Sequence, residues 1–170
     1  NEREVVERFD PPPQLQGRLG GVRVRRRGGL DSDEDETFFV GYAPLELAKY
    51  EQLRVFFWQT LNEWIIDLRN RCQRTHISLC VDGNGKILGV PESENEDGSV
   101  GPYGSLFETP NGYDLKLLAK NRGLNVTNTW TEQAAQPTCQ SIKSLTPYQI
   151  DYVLIGEERQ DSKMEAWVDK

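Results

Sequence analysis

The chain has 170 residues, carries a formal net charge of −7, and is 36% hydrophobic and 28% charged. That length supports one domain with a real core and excludes two comfortable ones, while the acidic balance counts against a simple duplex-binding module and suits acidic residues that hold a cation beside a phosphate. No apolar run approaches the roughly 18 residues that span a bilayer, no charged-then-apolar leader opens the chain, and three widely spaced cysteines, Cys72, Cys80 and Cys139, point to reduced thiols in an intracellular protein, nuclear or cytoplasmic, rather than to a disulfide framework or a zinc site.

Residues 1–17 read as a polar lead-in, extended through Pro11-Pro12-Pro13. Val22 and Val24 then alternate with Arg23 and Arg25, the pattern of a short half-exposed strand, and Gly28-Gly29 breaks it. Arg23, Arg25, Arg26 and Arg27 make a basic patch. The acidic run Asp31 to Glu36 can neutralise it, so a solvated hairpin is favoured over a phosphate-backbone contact. Thr37 to Tyr42 is a compact apolar strand stopped by Pro44. Leu53, Phe56, Phe57, Leu61, Trp64, Ile65 and Leu68 recur at spacings of three and four, which predicts a helix over 47–72 with a broad apolar stripe turned to the core.

Ile77 to Val81 is a buried strand that runs straight into Asp82-Gly83-Asn84-Gly85. Residues 90–111 form a long loop rich in acids, Gly and Pro, of the kind that often carries function. Asn111 is expected to cap a short helix, with Leu115, Leu118 and Ala119 on its inner face and Gly123 as its stop. Residues 124–130 and 149–155 read as strands, and 161–170 as a polar tail. There is no internal repeat, and the mixture of strands and helices gives an α+β class.

Few residues in this pattern suit chemistry. Asp82 and Asn84 stand two apart, so in an extended chain they project to one side. A carboxylate there can orient or deprotonate a water, and an amide can hold an oxygen in place. The same stretch also reads as a tight hairpin turn, which the local pattern alone favours. A calcium loop fails, because Lys86 and Ser93 occupy its fifth and twelfth positions. Asp151 is flanked by Ile150 and Tyr152, so it sits either at a polar rim or beside a partner. Tyr42 ends an apolar strand, and its hydroxyl either donates to a phosphate oxygen or marks simple packing. His76 is the only histidine, at the opposite end of its strand from Asp82, roughly 16–20 Å away at the rise of a β-strand. No imidazole is therefore at hand for Asp82, and a nucleophile triad is excluded.

The order of these segments is more specific than any one of them. Phe39-Val40-Gly41-Tyr42-Ala43-Pro44 is followed by the aromatic helix with Phe57-Trp58, then Leu79-Cys80-Val81-Asp82-Gly83-Asn84-Gly85-Lys86. Gly101-Pro102-Tyr103-Gly104, Asn111-Gly112, Gly123-Leu124 to Asn128-Thr129-Trp130 and Gln149 to Leu154 come after. Over residues 18–160 this resembles the endonuclease domain of non-LTR retrotransposons and of craniofacial-development-like endonuclease/reverse-transcriptase proteins, members of the endonuclease/exonuclease/phosphatase superfamily. The resemblance implies a four-layer α/β/β/α sandwich, here incomplete at both ends, and Mg²⁺- or Mn²⁺-dependent hydrolysis of DNA or another phosphodiester. It implies that Asp82 aligns the attacking water, that Asn84 helps hold the phosphate, that Tyr42 contacts the scissile phosphate, and that Asp151 belongs to the catalytic face. Four features depart from the family, the first being that the family's N-terminal strand carrying an Asn is not found. Val81 replaces a Gly, no strand carries the family's metal-binding Glu (Glu2, Glu4 and Glu7 sit in no matching motif), and no Ser-Asp-His stretch closes the chain. Two alternatives follow: a non-catalytic remnant or binding module of a mobile-element protein, and a phosphatase of the same superfamily.

Overall fold

The computed structural model describes residues 3–26, 35–72, 75–95, 98–140 and 147–156. Arg27, the Gly28-Gly29 break, Asp31 to Glu34 of the acidic run and the tail at 161–170 lie outside the described residues. Eight strands and two helices follow one another: β1 (Arg3–Phe9), β2 (Leu19–Arg26), β3 (Glu36–Tyr42), α1 (Glu51–Arg71), β4 (His76–Asp82), α2 (Pro110–Arg122), β5 (Leu124–Val126), β6 (Cys139–Gln140), β7 (Pro147–Tyr148) and β8 (Asp151–Gly156). Six of the strands form one sheet in the order β1-β2-β3-β4-β8-β5, and β6 pairs with β7 separately. Only β3 and β4 run parallel. The crossover between them is α1, as a parallel pair requires.

Successive strand side chains point to opposite faces. Phe39, Leu79, Val81, Tyr152 and Leu154 fall on one face and are buried. They meet Phe57, Leu61, Ile65 and Leu68 of α1 and Leu115, Leu118 and Ala119 of α2 in one core cluster. Gly41 lies under the Phe57 ring, where an added Cβ would come within 2.9 Å of it. Phe38, Val40, Tyr42 and Cys80 project to the other face and are exposed. The class is α+β. The described residues form a helical layer on one face of the main sheet and leave its other face exposed; the second large sheet and outer helices of the expected four-layer sandwich are not among them.

Several expectations are corrected. Residues 3–9, read as part of a polar lead-in, are strand β1 paired to β2. Its sequence hides this because it is an exposed edge, where charged cross-strand pairs replace apolar alternation. Glu7, opposite Arg23, takes a hydrogen bond from it at 3.1 Å. Within the arginine patch, Arg23 and Arg25 are neutralised inside the fold and not in solvent: Asp35 is completely buried and receives Arg23 at 2.7 Å and Arg25 at 2.8 and 3.0 Å. The long helix starts at Glu51 after a tight turn at Ala48–Tyr50, not at 47. The cap of α2 is Thr109, with Pro110 in the first helical turn, where its missing N–H costs nothing. Asn111 is instead fully buried. Gly123 does stop α2, in the left-handed conformation at φ 55°. The strand expected over 124–130 ends at Val126, and a single turn of buried Thr127, Asn128 and Thr129 follows.

Candidate phosphoryl site

Register builds the site. Tyr42 of β3 pairs with Asp82 of β4, and Asp82 pairs with Asp151 of β8. Residues directly opposite on adjacent strands share a face. Val81 and Tyr152, their neighbours, are buried under the helices. Tyr42, Asp82 and Asp151 therefore stand in one row on the open face, at the end of the parallel pair. Tyr42 is 44% exposed and Asp151 is exposed, while Asp82 between them is half-buried.

Asn84 joins this row by a different route from the one its spacing suggests. The strand ends at Asp82, and Asn84 turns left-handed at φ 45°, a conformation that asparagine tolerates better than most residues. Its backbone N–H donates to Asp82 Oδ1 at 3.0 Å, closing a small turn on the carboxylate. Its side-chain Nδ2 donates to the Ala43 carbonyl at 2.7 Å, directly after Tyr42. The side-chain amide has a second N–H beyond this bond. No hairpin forms here: β4 is flanked by β3 and β8, and Gly83 N–H donates to the Ile150 carbonyl at 2.7 Å.

Buried polar bonds hold the strand ends together. Asn111 Nδ2 donates to the Pro44 carbonyl at 2.8 Å and its Oδ1 accepts the Trp58 indole N–H at 2.9 Å, so one side chain joins α1, α2 and the segment after Tyr42. The Tyr152 hydroxyl donates to one of two carbonyls, Gly85 or Gln149, each at 3.1 Å, and accepts the Ile87 N–H at 3.2 Å. Burial raises the proton affinity of that hydroxyl, so it stays a donor. Asn128 Nδ2 donates to the Asp151 carbonyl at 2.8 Å and its Oδ1 accepts the Val153 N–H at 3.2 Å.

Asp82 is the electrostatically unusual group. Burial pushes its carboxyl above the ordinary range, the Asn84 N–H pulls against that, and the neighbouring Asp151 charge adds to the rise. His76 stands at the other end of β4, opposite Glu36, and plays no part in the row. Sequence reading missed Arg18, whose guanidinium lies 5.2 Å from the Tyr42 ring centre. It also missed Asn128 as a support for Asp151. Neither carries a local signal, since each acts through a strand distant in sequence.

Two carboxylates side by side on neighbouring strands, Asp82 and Asp151, fit the protein's share of a Mg²⁺ or Mn²⁺ site. Magnesium commonly takes one or two carboxylates and completes its shell with water and substrate phosphate oxygens. Among the described residues, no group of three or more His, Cys, Asp or Glu side chains could hold an ion unaided.

No family model and no curated protein sequence matches the chain. Solved structures do. The endonuclease domain of TRAS1, a telomere-specific non-LTR retrotransposon, superposes with a TM-score of 0.51 at 16% identity over 91% of this chain. The 3'-5' exonuclease NExo from Neisseria meningitidis superposes with a TM-score of 0.57 at 12% identity over 89% of it. The 3' phosphatase NExo from Neisseria, bound to a product DNA hairpin, gives 0.57 at 12% identity over 91%. This chain spans 57%, 59% and 60% of those structures. No helix among the described residues is long and apolar enough to cross a membrane. The chain has the endonuclease/exonuclease/phosphatase fold.

Proposed function

We propose that this chain is the phosphate-facing part of a metal-dependent phosphodiesterase domain that acts on DNA. One observation carries the reading: a tyrosine hydroxyl and two carboxylates stand in register on three neighbouring strands, at one rim of a fold shared with nucleases. Asp82 orients the attacking water and takes its proton. Tyr42 donates to a non-bridging phosphate oxygen, and the free N–H of Asn84 holds a second. Asp151 sets the charge beside Asp82. Asp82 and Asp151 would hold a Mg²⁺ or Mn²⁺ ion, which would supply charge neutralisation at the phosphate.

The test is nicking of supercoiled plasmid by the purified chain in Mg²⁺, in Mn²⁺ and in EDTA. We expect metal-dependent nicking that Asp82→Asn lowers by about 10²–10⁴-fold, the usual worth of a positioned base. A folded wild-type chain that does not nick overturns the catalytic reading. A 3'-phosphorylated oligonucleotide run in parallel separates the phosphatase alternative, since phosphate release without nicking would mark it. A second reading is a non-catalytic binding module. It predicts DNA binding with no turnover in any metal.

A further inference from the structure

Lys86 lies just beyond the Asp82 turn, and its ammonium sits between two rings. Its Nζ is 4.4 Å from the Phe107 ring centre and 4.6 Å from that of Tyr148. The rings come from separate segments, Phe107 from the loop ahead of α2 and Tyr148 from β7. The Lys86 backbone is pinned: its N–H donates to Thr109 Oγ1 at 2.9 Å, and its carbonyl accepts the Thr109 N–H at 3.1 Å. The residues on either side, Gly85 and Ile87, both lie within hydrogen-bond distance of the Tyr152 hydroxyl. The lysine is thus held at a fixed place relative to Asp82.

The charge at this place is not cancelled. Among the described residues no acid pairs with Lys86, whereas the adjacent Glu108 is taken by Lys116 at 2.8 Å. Leu106 and Phe107 are 96% and 55% exposed, apolar side chains held out in water beside a cation. The space between the rings is filled by the chain's own lysine, so the cluster is not a cage awaiting an external cation. It offers outward a positive charge and aromatic surface together. Phosphates pair with ammonium groups, and unpaired bases stack on aromatic faces. A continuous duplex keeps its base faces covered; a gap, a flap or a frayed end does not.

We propose that Lys86, Phe107 and Tyr148 form a contact for an unpaired stretch of nucleic-acid strand beside the reacting phosphate, with Lys86 on a backbone phosphate and Phe107 stacked on a base. The inference rests on the phosphodiesterase reading for its placement beside a reacting phosphate, and on the ring–lysine cluster for everything else. It makes the chain prefer locally unpaired strands over continuous duplex.

The test is fluorescence anisotropy with a fluorescein-labelled 12-nucleotide DNA, presented as a single strand and as a blunt duplex, in EDTA so that nothing is cut. Wild type, Lys86→Gln, Phe107→Leu and Tyr148→Leu are compared, each checked for an unchanged melting transition. We expect the single strand to bind about 10-fold tighter than the duplex. Phe107→Leu should remove about 10-fold on the single strand, within the range for one stacked base, and little on the duplex. Lys86→Gln should also flatten the salt dependence by about one phosphate contact. Equal binding of the two DNAs, or variants that bind as wild type does, overturns the inference. Wild type that nicks plasmid while the variants bind unchanged leaves the phosphodiesterase reading standing and removes this one. Strand binding that depends on Phe107 and Lys86 without any nicking does the reverse.

Discussion

The two ends of the parallel pair treat a carboxylate in opposite ways. Where β3 and β4 begin, Asp35 is wholly buried and held by Arg23 and Arg25. The Arg25 hydrogen bond, aided by both arginine charges, keeps its carboxyl below the ordinary range despite burial. Where they end, Asp82 is only half-buried, meets another carboxylate instead of an arginine, and is pushed up. A buried acid with two cations is a closed structural device. A half-buried acid with a like-charged neighbour on an open face carries electrostatic tension that folding alone does not need, and perturbed groups of this kind gather at functional sites. The comparison separates a carboxylate that ion pairing stabilises from one that burial and a like charge destabilise.

The largest expected effect breaks the first end. Asp35→Asn leaves Arg25 without its bonded carboxylate and Arg23, itself mostly buried, with Glu7 alone. Removing one partner of a buried ion pair typically costs about 3–5 kcal/mol. Urea denaturation should show a loss of this order, or a chain that fails to fold at all. A change of less than about 1 kcal/mol would mean the cluster is solvated and would dissolve the comparison. Next in size, Asn111→Ala strands the Trp58 N–H and the Pro44 carbonyl. Leaving such buried groups unpaired costs about 1–3 kcal/mol each at most. The same melts should record it, and the segment after Tyr42 should become more open to hydrogen exchange.

Titration sharpens the contrast, because the two acids have opposite signs. Asp35 has a lowered pKa when folded, so its stabilisation is present above the unfolded carboxylate value of about 3.9 and is lost as pH falls through its lower folded value. Asp82 has a raised one, so its contribution is present below about 3.9 and is lost as pH rises through its higher folded value. Above that folded value the Asp82 carboxyl therefore works against the fold. Asp82→Asn should raise the melting temperature slightly at pH 7 and leave it nearly unchanged near pH 3, while abolishing nicking. A fall in stability at pH 7 would show that the carboxylate is held by attraction, not by strain.

How much of this could be read from residues alone depends on the range of the forces involved. Strand β4, helix α1 and the inner face of α2 follow local periodicity, and Phe57, Leu61, Ile65 and Leu68 are buried as their spacing dictates. β1 escaped notice because an exposed edge is stabilised by Glu7–Arg23 pairing, which leaves no apolar alternation to detect. Asn111 read as a cap because an asparagine at a helix start usually is one; its burial depends on Trp58 and Pro44, both far away in sequence. The site shows the same division. Asp82 and Asn84 are neighbours in sequence, yet extended geometry misjudges their relation, since a left-handed turn intervenes. Asp151 comes to Asp82 only through the antiparallel register of β8, a long-range pairing that no local pattern around either residue contains.

The smallest expected change in stability is at Tyr42, and it isolates the chemistry most cleanly. Its ring is 44% exposed on the open face, with Arg18 against it, and its backbone bonds to Arg18 survive any change of the Tyr42 side chain. Tyr42→Phe keeps the ring and removes one hydroxyl. Melting should shift by less than about 0.5 kcal/mol, the usual scale for a surface substitution. If the hydroxyl donates to a phosphate oxygen, nicking should fall by about 10-fold, the worth of one hydrogen bond at about 1.4 kcal/mol. The loss should lie in turnover if the bond forms only as the phosphate reacts, and in substrate affinity if it forms equally in the ground state. Nicking that matches wild type in both parameters would take Tyr42 out of the site, leaving the carboxylate pair on β4 and β8 as the whole of the chemistry at that rim.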